Sequence, residues 1–245
     1  MSNKCDLNSW LSYSIVPQEL STHLRPAMWG NGQIEVLAEL DRPSVSEAVC
    51  FGFGQDGLAY QSEEHLVPAV YDAVSGEKYF LSSTTSSTAQ RTTVTFRPDR
   101  QIWHYEFDEL NITVSLILPR MLPGYLFKAK LSPKKSNKSQ KWIICQELRR
   151  THGGILFATE AEYDLRGSKV WCRDMKKHGE AIGATSDAES INLGKDGAYA
   201  TDIMAKICTE RDRKGSTIVY IARAFGATPK DAKDGLMKLL TSPER

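Results

Sequence analysis

The chain lacks most of the features that announce a chemistry. No apolar run approaches the ~18 residues needed to cross a bilayer, so no membrane association is expected. The opening MSNKCDLNSWLSYSIV holds no apolar signal-peptide core, which predicts a cytoplasmic protein. There is no GxGxxG and no GxSxG. Phe51, Gly52, Phe53 and Gly54 form a glycine-rich stretch without phosphate-loop spacing, and a tight turn at a strand end is the reading adopted. His23, His65, His104, His152 and His178 make no HxH, HExxH or Cys–His zinc spacing, so neither a metal nor a cofactor is expected. Excess charge is missing too: 31 basic against 30 acidic side chains leave +1, which gives no general pull toward nucleic acid. The five cysteines (Cys5, Cys50, Cys145, Cys172, Cys208) are odd in number and scattered, as free reduced thiols are. Asn111-Ile-Thr113 and Asn137-Lys-Ser139 match the glycosylation triplet and, without a leader, are read as chance.

What is present is strand grammar. In residues 112–118, Ile112, Val114, Leu116 and Leu118 alternate with Thr113 and Ser115, the period-two mark of a half-buried strand. Pro119 and the Pro123-Gly124 pair break the chain, because proline lacks the ladder donor and glycine tolerates the turn. Residues 126–131 and 142–148 resume the pattern across a Lys/Ser/Asn-rich turn, which predicts a three-strand antiparallel meander. Similar segments at 33–40, 45–53, 79–83, 92–96, 101–107, 154–164, 168–173, 180–186, 190–193, 199–210 and 216–225 predict an all-β chain of stacked antiparallel sheets. Arg97-Pro98-Asp99-Arg100 is a good hairpin turn. Residues 57–76 read as the most loop-like stretch. At the end Thr228 is a good N-cap and Pro229 a good first helical residue, followed by an apolar stripe of Ala232, Leu236, Leu239 and Leu240. A helix is therefore expected near 229–241. The implied organisation is an arm over 1–32, a β-sandwich domain over 33–227, and a helix or linker over 228–245.

Chemistry-bearing residues are few. Glu63, Glu64 and His65 place an acid beside a base in the 57–76 segment, as proton transfer requires, although a solvated polar loop is the plainer reading. His104 alternates with Trp103 and Tyr105 on an expected strand. Should the chain have a sugar-facing surface, the contacts expected are Trp29, Tyr60, Glu64 and His65. Tyr60 would stack on a sugar face, while Glu64 and His65 would hydrogen-bond hydroxyls.

The order of the segments "YLFKAKLSP", "KWIICQELRR", "STIVYIARAFG" and "PKDAKDGLMKLLTSPER" resembles the β-supersandwich domain that precedes the helical barrel in six-hairpin glycosidases and related phosphorylases. The resemblance covers roughly residues 33–245 and lies in element order, with no diagnostic motif. It implies a large antiparallel supersandwich with a short C-terminal helix. It further implies an accessory, non-catalytic role beside a helical barrel, because that family keeps its acid and base carboxylates on the barrel. A carbohydrate ligand and the barrel are the partners implied. The sequence is also similar in architecture to aldose (galactose) mutarotases and epimerases, which act as single domains through histidine and carboxylate groups. His65, His104, His152 and Glu160 would be the material for that chemistry. A sandwich that binds a protein partner is the third reading.

Overall fold

The computed structural model describes residues 11–15, 26–52, 58–61, 63–82, 88–97, 100–135, 140–150, 163–164, 170–174, 178–185, 203–213 and 215–242. In chain order the strands begin with β1 (Leu11–Ile15), β2 (Ala27–Gly30), β3 (Ile34–Ala38), β4 (Ser44–Phe51), β5 (Leu58–Gln61) and β6 (Glu63–Asp72). Next come β7 (Lys78–Phe80), β8 (Arg91–Arg97), β9 (Arg100–Glu106), β10 (Leu110–Ile117), β11 (Gly124–Pro133) and β12 (Gln140–Arg150). The last are β13 (Tyr163–Asp164), β14 (Val170–Asp174), β15 (Gly179–Ala184), β16 (Ile203–Arg213) and β17 (Thr217–Gly226), before the helix α1 (Pro229–Thr241).

One sheet runs β1-β8-β9-β10-β11-β17-β15-β14-β13 and the other β16-β12-β6-β4-β3-β2, with β5 on β4 and β7 on β6. Neighbours pair antiparallel, as in the β8–β9 hairpin, where Arg97 opposes Arg100 across the expected turn. One apolar core joins the two layers: Trp103, Ile112, Val114, Leu116 and Phe127 from the first meet Ile34, Val36, Val67, Val70 and Trp142 from the second. Ile112, Val114 and Leu116 are wholly buried, as their alternation predicts. The chain is an all-β sandwich with a short C-terminal helix.

Two local readings are corrected. The meander does not form: β11 pairs with β10 and β17, while β12 crosses to the other sheet between β6 and β16. The alternation in a strand says which residues face inward, but not which layer receives them. Residues 57–76 are not mainly loop either, since β5 and the ten-residue β6 lie within them. Pro68 misleads because the register shifts beside it: Val67 and Pro68 together stand against Gln146, between Leu66 opposite Glu147 and Ala69 opposite Cys145. A bulge of this kind accommodates a residue that has no ladder donor. Strands β1 and β2 lie within the expected arm and join one sheet each. The expected strand at 190–193 and most of that at 154–164 lie outside the described residues.

The helix forms as its signals predict. Asp231 N donates to Thr228 Oγ1 (3.2 Å), and Thr228 N donates to Asp231 Oδ2 (3.1 Å), a reciprocal capping box. Ala232, Leu236 and Leu239 pack on Ile117, Leu126, Ala181, Ala222 and Ala224, covering the outer face of the nine-stranded sheet. Strand β17 is consequently buried on both faces for most of its length. The turn at Pro119 and Pro123-Gly124 is also present. Asn31 Nδ2 donates to the Pro119 and Leu122 carbonyls (2.6 and 3.0 Å), and Met121 takes a left-handed φ of 61°.

Candidate functional site

Strand β6 carries the pair singled out in the sequence, and alternation sends its two members to opposite faces of the sheet. His65 points into the sandwich and is wholly buried. Its ring lies 5.6 Å from that of Tyr125 and 5.4 Å from that of Phe127. Nδ1 is 3.1 Å from the Tyr125 hydroxyl and Nε2 is 2.8 Å from Gln146 Oε1. Arg223 stands opposite Tyr125 in the β11–β17 ladder and hydrogen-bonds its hydroxyl. Arg223 Nε also donates to Glu180 Oε1, and both side chains are fully buried. The Arg223 guanidinium further covers the Phe225 ring at 5.1 Å.

The proton order in this chain follows from donor inventory. Arginine can only donate, so the Tyr125 oxygen accepts from Arg223 and its O–H turns to His65 Nδ1. A neutral imidazole that accepts at Nδ1 carries its proton on Nε2, which donates to Gln146 Oε1. Burial, then the positive charge of Arg223, pushes the His65 pKa down to about 3. Burial pushes the Tyr125 hydroxyl and the Cys50 thiol upward. The titratable groups at the centre are thus held uncharged, and the Arg223–Glu180 pair supplies the local charge of both signs. Such a cluster can orient dipoles across the interior. As a base at neutral pH, His65 is weak and has both nitrogens engaged.

Glu64 is buried on the other face. Its Oε1 accepts from Ser44 Oγ (2.6 Å) and lies 2.9 Å from Arg42 Nε. Nearby Glu39, half-buried, has its carboxyl pKa raised chiefly by burial. Trp29, on β2, donates Nε1–H to Gln101 Oε1 (3.0 Å) and stacks on Phe96 at 6.4 Å. Gln101 Nε2 reaches the Glu39 carbonyl (2.7 Å), which ties the two sheets together. Tyr60 sits opposite Val49 in the β4–β5 ladder, and its side chain lies outside the described residues. The four residues are therefore spread over three strands and both faces of one sheet.

His104 is half-buried on β9, with Nδ1 2.9 Å from Thr113 Oγ1 and Nε2 3.6 Å from Glu106 Oε1. His152 and Glu160 lie outside the described residues. Among those described, no cluster of three or more His, Cys, Asp or Glu could hold a metal, and no helix is long and apolar enough to cross a membrane.

The sequence reading missed Tyr125, Gln146, Glu180 and Arg223. A faint signal existed: Arg223 is the one charge within IVYIARAFG, and a charge inside an otherwise apolar strand implies a buried partner.

Neither a family model nor a curated protein matches this chain. Solved structures do. A protein assigned as a kojibiose phosphorylase, from the human microbiome, matches with a TM-score of 0.55 at 7% identity, over 89% of this chain. What that likeness shows is the fold. The chain spans 33% of the phosphorylase, so the shared part is a β-sandwich portion of a much longer protein. The Slr1438 protein of Synechocystis sp. PCC 6803 matches with a TM-score of 0.50 at 8% identity, over 88% of this chain and 99% of its own.

Proposed function

We propose that the chain serves as an accessory, non-catalytic β-sandwich domain of a carbohydrate-active enzyme, packing against a helical barrel and lending loops to a sugar-binding cleft. The observation that carries this reading is the match to one third of a kojibiose phosphorylase, with nearly all of this chain inside it. The interior chemistry agrees with a non-catalytic role. Its most basic-looking group, His65, is sealed, doubly hydrogen-bonded and neutral down to about pH 3. Sugar contacts are assigned to Trp29 and Tyr60, whereas Glu64 and His65 are buried and make their hydrogen bonds within the protein.

A second reading is a free-standing aldose mutarotase or epimerase. It is favoured by the Slr1438 protein, which this architecture matches over 99% of its own chain. One panel separates the two. The purified chain is incubated with disaccharides and α-glucosides, with and without inorganic phosphate, and with α-anomers of free aldoses followed by polarimetry. No turnover is expected, with weak disaccharide binding by calorimetry that Tyr60→Ala abolishes. Hydrolysis or phosphorolysis by the chain alone would overturn the accessory role. Catalysed anomer interconversion lost in His65→Ala would establish the second reading instead.

A further inference from the structure

The register of the β12–β16 ladder sets Cys145 directly opposite Cys208. We propose that these two cysteines form a reversible cross-strand disulfide that fastens β16, the terminal strand of its sheet among the described residues, to β12. Directly opposed residues of an antiparallel pair share a face of the sheet, with Cα atoms about 4.5 or 5.5 Å apart. Both spacings fall inside the span of about 4.4–6.8 Å that a disulfide bridges. The register irregularity in this ladder comes only after the pair, between Leu148 and Arg149, so the match at 145 and 208 is unbroken.

Trp142, Ile144 and Gln146 are the buried alternates of β12 that face the core. Cys50 is wholly buried between the sheets and free. Cys172 stands opposite Ala181 and Asp164, so it has no cysteine in register. The 145–208 pair is therefore unlike the other described cysteines.

The bond would form by exchange with a small-molecule disulfide such as oxidised glutathione. One cysteine thiolate attacks a sulfur of the reagent, and one reduced glutathione leaves. The second cysteine thiolate then displaces the other glutathione from the mixed disulfide. In sum two protein thiols lose two electrons and two protons, and one oxidised glutathione becomes two reduced molecules. In an oxidising medium the terminal strand is clamped to its neighbour; a reducing one releases it. The covalent tie joins strands that flank β13, β14 and β15 in the chain.

The test uses the full chain, equilibrated with glutathione at graded redox ratios, alkylated, digested without reduction and analysed by mass spectrometry. The expected result is one linked peptide pair containing Cys145 and Cys208, with loss of two alkylation equivalents and full recovery on dithiothreitol. Cys145→Ser should leave Cys208 as a mixed disulfide with glutathione. If either serine variant fails to fold, the measurement on the unsubstituted chain still decides. Recovery of both cysteines alkylated at the most oxidising ratio, or linkage of either to a different cysteine, overturns the proposal.

Discussion

Arg223 and Glu180 are two opposite charges with no exposure to water, held on neighbouring strands of one sheet. Removing one partner leaves the other as an uncompensated buried charge. Glu180→Gln is expected to cost about 3–5 kcal/mol in urea denaturation, while Glu180→Leu combined with Arg223→Met costs less than Glu180→Gln alone. A double variant less stable than the single would show that the pair contributes net stability as an ion pair. His65 adds a pH dependence whose sign is fixed by its depressed pKa of about 3, against an ordinary 6.5. Below the ordinary value the unfolded chain takes up a proton that the folded interior refuses, so stability falls as pH drops from 6.5 toward 3. The slope approaches about 1.4 kcal/mol per pH unit, so a shift from about pH 7 to about pH 5 should cost about 2 kcal/mol. His65→Gln should lose most of that dependence. Equal losses in both proteins would remove His65 from the explanation.

At the scale of elements, helix α1 owes its seat to two devices, one local and one tertiary. The Thr228 cap satisfies a first-turn amide, and Thr228→Ala should lower stability by about 1 kcal/mol. The second is the clearance beneath it. Gly179 and Gly226 oppose each other across β15 and β17, where the helix crosses. A Cβ on Gly226 would stand 2.5 Å from Ala232 N, and one on Gly179 would stand 2.1 Å from the Thr228 carbonyl carbon. Gly226→Ala should therefore displace the helix and expose Ala222 and Leu236, seen as increased binding of a hydrophobic dye. Unchanged dye binding with a native thermal midpoint would mean that the helix can rise off the sheet without cost. Strand β6 shows the opposite case, an element hidden by its own composition. Glu63, Glu64, His65 and Pro68 read as loop, yet Leu66, Val67, Ala69 and Val70 bury themselves around the bulge.

Across the whole molecule, one apolar core contains Trp103 of the nine-stranded sheet and Trp142 of the other, and Gln101 links the layers through Trp29 and Glu39. Neither layer has a separate core of comparable size among the described residues. The sandwich should therefore unfold as one unit, with tryptophan fluorescence and far-UV circular dichroism giving coincident urea transitions. Two separated transitions would show that the sheets are independently stable.

Strand periodicity, the hairpin at Arg97–Arg100 and the capped helix were legible in the sequence because each depends on contacts within a few residues. Thr228, Pro229 and the stripe Ala232, Leu236 and Leu239 carry their own geometry. The layer that β12 joins is not written locally. That choice depends on which edges remain open once β17 has taken the far side of β11. The polar cluster was illegible for the same reason. His65, Tyr125, Gln146, Glu180 and Arg223 come from five strands of two sheets, and no spacing along the chain brings them together. Sequence alone determined what each segment could become, since backbone preference and alternation are short-ranged. Only the tertiary structure decided which side chains meet, because strand pairing and sheet stacking join residues that the chain keeps far apart.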